Sequence, residues 1–173
     1  MIGAHSFSME DSRMLKRLAL LAAAVVAAAP ALAQNPRGEA KATVAGKTVA
    51  IDYGRPSLKG RDMLGQAQVG QSWRMGADAA TGLKTDADLS FGDVKVPKGE
   101  YVLTATKIAA DKWQLNVLSQ SEERTKVADI PLTPSKLDAS VEQFTIDLKG
   151  DKDKGELKLL WGTTALATSF TGK

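Results

Sequence analysis

The sequence predicts an all-β domain. The expected form is an antiparallel β-sandwich, jelly-roll-like or partly open barrel, with one long ordered loop and an N-terminal signal helix ahead of it. Three observations carry this. Apolar residues alternate with a period of two in short runs such as Val49, Ile51 and Tyr53, the pattern of half-buried strands. Turn-forming clusters, Ala45-Gly46-Lys47, Pro97-Lys98-Gly99 and Ala109-Ala110-Asp111 among them, separate these runs. After residue 34 no long segment keeps the 3.6-residue period of an amphipathic helix, which leaves roughly eight or nine short strands stacked in two layers.

In chain order, the leader comes first. Lys16-Arg17 precedes an apolar run from Leu18 to Ala29, and Ala31-Leu32-Ala33 is a small-x-small site before Gln34. That is a secretory signal peptide cleaved after Ala33. Its apolar run is shorter than the roughly 20 residues a spanning helix needs, and Pro30 interrupts it, so no membrane anchor is expected after cleavage. Met1 to Arg13 is polar and carries Glu10 and Asp11, which does not suit a short basic n-region and places the true start at Met14. Export to the periplasm or the medium is the expected outcome.

Beyond the leader, Gln34 to Glu39 reads as a flexible polar entry, and residues 40–173 as a single β domain. Ala42 and Val44, the Gly46 turn, then Val49, Ile51 and Tyr53 predict a hairpin. From Gly54 to Gly76 the alternation stops, which predicts a long loop with one helical turn near Asp62 to Gln66; loops of that length are usually functional or disordered. Strands are expected at Gly82 to Ala87 and at Leu89 to Val96. Tyr101, Leu103 and Ala105 turn at Asp111 into Trp113, Leu115 and Val117, a second hairpin whose tryptophan is assigned to the core. Val127 to Leu132 reads as an edge strand kept short by Pro131 and Pro134, followed by a helical turn at Ser135 to Ser140. Phe144, Ile146 and Leu148 reverse through Lys149 to Gly155 into Leu157, Leu159 and Trp161, and Leu166 to Phe170 forms a last strand.

Composition excludes whole classes of chemistry. The chain has no cysteine, and its one histidine, His5, lies in the leader. Histidine-dependent triads, histidine-zinc centres and axial haem histidines therefore have no source in the mature part, and no cofactor or metal is expected. Without Arg13, Lys16, Arg17, Glu10 and Asp11 the balance is 20 basic against 18 acidic residues. These are spread along the chain, which argues against nucleic acid as a partner. Asp151 to Glu156 alternates acids with lysines, whose charge opposes calcium, and reads as a solvated hairpin turn.

The densest chemistry lies in Ser72-Trp73-Arg74-Met75-Gly76-Ala77-Asp78-Ala79-Ala80-Thr81. Arg55, Arg61 and Arg74 with Asp78 are the candidate ligand-binding residues, and Tyr53, Trp73 and Thr81 stand beside them. A guanidinium donates two parallel hydrogen bonds to carboxylate or phosphate, so three in one loop could cradle an anion while Trp73 or Tyr53 stacks on a flat or sugar-like body. The competing expectation is structural: Arg74 pairs with Asp78, and Arg55 and Arg61 tie down loop carbonyls. Asp86, Asp88 and Asp93 are a weaker carboxylate set for glycoside hydrolysis.

The order Tyr53-Gly54-Arg55-Pro56, Lys59-Gly60-Arg61, Trp73-Arg74-x-Gly76-Ala77-Asp78-x-Ala80-Thr81, Pro97-x-Gly99-x-Tyr101-x-Leu103, Trp113, Phe144-Thr145-Ile146 and Trp161-Gly162 closely resembles the bacterial secreted family called domain of unknown function 2911. The resemblance implies an exported all-β domain and supplies no activity. Where the family pattern is Gly-Ala-Asn-Glu-Ala-Thr, this chain has Asp78-Ala79-Ala80-Thr81, so no catalytic role for that glutamate carries over. The expected function is a non-enzymatic module binding an anionic or carbohydrate-like small molecule. The alternative is a carboxylate-based hydrolase of envelope or scavenged polysaccharide.

Overall fold

A computed structural model describes residues 34–173. The expected signal helix, Met14 start and cleavage site fall on residues 1–33, outside the described residues. Ten strands follow one another: β1 (Arg37–Val44), β2 (Lys47–Gly54), β3 (Ser72–Trp73), β4 (Thr81–Thr85), β5 (Leu89–Phe91), β6 (Val94–Val96), β7 (Gly99–Ala109), β8 (Lys112–Ser119), β9 (Lys126–Asp151) and β10 (Lys154–Gly172). They hydrogen-bond in the order β1-β2-β4-β7-β8-β9-β10-β5-β6, with β3 attached to β7. Every pairing is antiparallel. The all-β, antiparallel expectation therefore holds. The sheet is one continuous path that does not close into a barrel: β1 and β6 lie at its two ends.

The first hairpin forms where alternation predicts it. Ala42 faces Val49 and Ala40 faces Ile51 across β1 and β2, and all four are buried. The connecting Ala45 and Gly46 both have positive φ, 53° and 73°, which matches the right-handed twist of the flanking strands. β1 begins at Arg37, inside the segment read as a polar entry.

Three elements differ from expectation. Leu89 to Val96 is not one strand but the β5–β6 hairpin, because Gly92 takes φ 61° and turns Phe91 back against Val94. The predicted short edge strand and helical turn at 127–140 are instead part of β9, an interior strand of 26 residues. Its Lys126 to Leu132 portion pairs with β8 and its portion from Thr133 onward pairs with β10. Pro131 faces Gln114 on β8 and Pro134 faces Leu166 on β10, so the prolines flank the point where β9 changes partner. A missing N–H is tolerated there because the ladder is already interrupted. The last two predicted strands are likewise one, β10, which changes register against β9 on either side of Gly162 at φ 62°.

The long β9–β10 hairpin belongs to both halves of the sheet, and the halves share a core. Val49, Ile51 and Leu83 from one side line the same small interior space as Leu89, Phe91, Leu148 and Phe170 from the other. The reversal runs through Lys152 and Asp153 and touches β1: the Ala45 N–H donates to the Lys152 carbonyl at 2.6 Å. Nearby, Gly150 lies so close to the Thr43 carbonyl that a Cβ there would overlap backbone. Backbone cannot step aside as a flexible side chain can, so Gly150→Ala is expected to lower stability by about 1–3 kcal/mol, the range of overpacking. Urea unfolding followed by circular dichroism checks this.

Candidate functional site

Between β2 and β4 the chain leaves the sheet and returns through the two-residue β3. A loop this long must find partners for its backbone groups, and the bonds are specific. Phe144 N–H donates to the Pro56 carbonyl at 2.9 Å, and Leu58 N–H to the Glu142 carbonyl at 2.9 Å. The predicted turn at 62–66 forms as a single hydrogen-bonded reversal, Gln66 N–H to the Asp62 carbonyl at 3.2 Å. The Asp62 carboxylate accepts from Gly65 N–H at 2.9 Å. Leu58, Leu64 and Met75 are buried anchors, so the loop is ordered by packing as well.

The aromatic anchor is Trp73. Pairing of β3 with β7, Trp73 opposite Ala105, sets its ring edge-on to Phe144 at 4.9 Å and stacked on Trp161 at 5.6 Å and 18°. Phe144 also meets Tyr53 edge-on at 5.5 Å and Trp161 at 5.6 Å. Each such pair contributes roughly 0.5–1.5 kcal/mol beyond its area burial.

The sequence-predicted site residues separate into two groups, with Arg61 apart from both. Tyr53, Arg55 and Trp73 converge on Phe144 and its neighbours. The Tyr53 hydroxyl accepts from Ile146 N–H at 3.0 Å and lies 3.4 Å from the Ile146 carbonyl. Arg55 donates to the Phe144 carbonyl at 3.4 Å and to the Thr145 hydroxyl at 3.3 Å. Arg74, Asp78 and Thr81 instead build the turn after β3. Thr81, fully buried, donates to the Met75 carbonyl at 2.6 Å. Arg74 Nη1 reaches the Asp78 backbone carbonyl at 3.4 Å, while the Asp78 carboxylate accepts the Asn35 N–H at 2.9 Å and its side-chain amide at 3.3 Å. Met75 and Asp78 hold positive φ, 55° and 63°. At the end of β2 a Cβ on Gly54 would overlap the Ala77 backbone, which shows how tightly this turn lies on that strand. Arg61 donates to the Leu58 carbonyl at 3.1 Å. The three guanidinium groups thus serve three different carbonyls and share no acceptor.

A different set of side chains surrounds a cavity of about 270 Å³ under the loop. Trp73, Trp113 and Trp161 wall it, Gln66, Gln68, Gln71 and Ser72 supply polar atoms, and Met63, Leu64 and Ala67 complete the lining. Trp113 and Trp161 are buried, at 4% and 3% exposure, as their strand register requires, yet both also border this space. Lys107 on β7 sits over the Trp113 ring at 6.0 Å, a cation held by an aromatic face. No lining residue carries a formal charge. Sequence reasoning missed these glutamines and favoured core packing over a sugar platform for Trp113 and Trp161. The signal available was that the chain has three tryptophans and a glutamine at 66, 68 and 71.

Other concavities lie elsewhere on the described residues, among them one of about 400 Å³ lined by Lys84, Asp86, Lys98 and Glu100. A groove of about 640 Å³ follows the β9–β10 hairpin over Phe170, Gly150 and Gly155, with Lys149, Asp151, Lys154 and Glu156 along it. A shallow depression on the β2–β4–β7 face gathers Glu39, Asp52 and Glu100. There Arg37 binds Asp52, and Lys84 binds Glu100 at 3.0 Å. Glu100 holds the Lys84 ammonium above its ordinary pKa, by hydrogen bond first and charge second. Of the aspartates considered for glycoside hydrolysis, Asp88 accepts the Lys98 N–H at 2.8 Å. Among the described residues no cluster of three or more acids, histidines or cysteines has metal-binding geometry.

Tyr53→Phe isolates one of these bonds, since it keeps the ring against Phe144 and leaves the buried Ile146 N–H without its acceptor. A loss of about 1–3 kcal/mol is expected, read as a lowered urea midpoint with unchanged m-value.

Comparison with known proteins agrees with the residues quoted above. No curated protein and no solved structure matches the chain. The family described as "Protein of unknown function (DUF2911)" matches residues 35–170, nearly all of the described fold. The chain therefore belongs to the DUF2911 family.

Proposed function

We propose that this chain is a binding module that, after export, holds a small uncharged sugar-like ligand in the tryptophan cavity beneath the loop. We read the folded-over sheet as a two-layer β-sandwich with that loop across one of its ends. The observation that carries the reading is the lining: three indoles and three primary amides around about 270 Å³, with no charged side chain. A pyranose offers an apolar C–H face to an aromatic ring and hydroxyls at its edge. Glutamine amides both donate and accept, so they suit hydroxyls, whereas an anion would want the guanidinium groups, and none of Arg55, Arg61 and Arg74 lines the cavity. The volume, about 270 Å³, lies just below the roughly 300 Å³ at which ligand pockets usually begin, and suits one ring better than an oligosaccharide. A carboxylate hydrolase has less support. No acid lines the cavity, and two of the three acids of the surface depression are paired with cations.

The three tryptophans of the chain all line this one cavity, so intrinsic tryptophan fluorescence of the domain reports on it alone. Methyl glucoside, N-acetylglucosamine, phosphate and succinate make a discriminating set. The expected result is a fluorescence change and a raised melting temperature with a neutral sugar and none with the anions. Gln66→Ala and Gln71→Ala, both at exposed positions, are expected to weaken the response several-fold without lowering the unliganded melting temperature. A response to the anions alone, or to none of the four, would sink the proposal.

A further inference from the structure

Residues 61–69 border the tryptophan cavity without being tied to the sheet. Among the described residues their hydrogen bonds all end within the loop itself. Arg61 N–H and Nε–H both donate to the Leu58 carbonyl at 3.1 Å. Gln66 N–H donates to the Asp62 carbonyl at 3.2 Å, Ala67 N–H to the Leu64 carbonyl at 3.3 Å, and Gln71 N–H to the Gln68 carbonyl at 3.3 Å. Gly65 N–H donates to the Asp62 carboxylate at 2.9 Å.

The bonds to the rest of the fold lie at the two ends. Before the segment, Leu58 N–H donates to the Glu142 carbonyl at 2.9 Å and Lys59 N–H to the Glu142 carboxylate at 3.0 Å. After it, Gly70 N–H donates to the Lys107 carbonyl on β7 at 2.8 Å. A glycine of positive φ stands at each end, Gly60 at 76° and Gly70 at 87°. Around both, the space where a Cβ would stand is empty to 4 Å. A glycine with such room absorbs a large change of φ and ψ, which is what a hinge requires.

Between the hinges the seat is apolar. Leu64, at 3% exposure, joins the core, and Met63 and Ala67 pack against it half-buried. A segment with local hydrogen bonds and few buried side chains opens at lower cost than the sheet beneath it. The same segment supplies half of the cavity lining, Met63, Leu64, Gln66, Ala67 and Gln68, while the three tryptophans belong to strands.

We propose that residues 61–69 are a lid, hinged at Gly60 and Gly70 and latched by Leu64, that lifts from the tryptophan cavity to admit a ligand and closes on it. A ligand that touches the indoles and the lid glutamines together favours the closed state through those added contacts. This closure on a ligand rests on the sugar-like reading above, whereas the hinged opening does not.

The chain has no cysteine, so one introduced thiol reports on its own position. Leu64→Cys places it under the lid. Val117→Cys places it at 0% exposure on β8, which is paired on both sides. Each full domain is treated with dithionitrobenzoate in urea concentrations below the unfolding transition. The Leu64→Cys protein is expected to react about a hundredfold faster or more, at a rate that hardly varies with urea, because lid opening exposes little surface. The Val117→Cys protein reacts through global unfolding and accelerates with urea. Cysteine is a smaller latch than leucine, so amide exchange in the unaltered domain is the second measurement. A lone turn lifted from its seat is not stable in water, and the Gln66 and Ala67 amides are expected to exchange with the same weak urea dependence. Methyl glucoside or N-acetylglucosamine is expected to slow both rates several-fold. Exchange at Gln66 and Ala67 with the urea dependence of the β8 amides overturns the lid. Opening that a bound sugar does not slow overturns closure on the ligand. Opening in a domain that binds neither sugar supports the hinge and overturns the sugar reading.

Discussion

The contact of Trp73 with Phe144 and Trp161 is the constraint on which the seating of the long loop and the cavity beneath it depends. Trp73 belongs to the two-residue strand β3, Phe144 to β9 and Trp161 to β10, so one aromatic cluster joins three segments far apart in the chain. Without it the loop between β2 and β4 would keep its hydrogen bonds to Glu142 and Phe144 and its buried Leu58, Leu64 and Met75, but lose its aromatic anchor. The cavity wall would go with it, since two of those three rings are also walls. Packing and the cavity wall are therefore carried by the same side chains. That explains why tryptophans in plain strand register are both buried and cavity-lining.

The arginines solve a different problem. A loop without regular pairing exposes carbonyls that must be satisfied, and Arg55, Arg61 and Arg74 each donate to one: Phe144, Leu58 and Asp78. Thr81 does the same for Met75. The segment with the densest chemistry in the sequence is in large part a device for holding backbone in place. Positive φ at Met75, Gly76 and Asp78 shows how sharply that backbone turns, and local side-chain bonds keep such conformations populated.

The long hairpin of β9 and β10 sets the architecture. Because β9 pairs first with β8 and then with β10, a single strand links the two halves of the sheet across their shared core. Gly150 and Gly155 permit the close contacts this requires, one against Thr43 and the other against the Phe170 ring. The hairpins β1–β2 and β7–β8, and the turn at Lys152, were legible because they depend on alternation and turn chemistry within a few residues. The continuity of β9 through Pro131 and Pro134 was not. Proline reads locally as a break, and only the change of strand partner at that point makes it tolerable.

By itself, the amino-acid order determined the all-β class, the antiparallel hairpins, the ordered long loop, the family and the absence of cysteine chemistry, because each follows from local periodicity or from which residue types are present. Tertiary structure alone decided which side chains meet. It scattered the three guanidinium groups onto separate carbonyls and brought Trp73, Trp113 and Trp161 together with Gln66, Gln68 and Gln71 around one cavity. The physical reason is that a cavity is made by long-range packing between elements, whose register and bulges at Gly162 and the β9 partner switch leave no periodic trace in the chain.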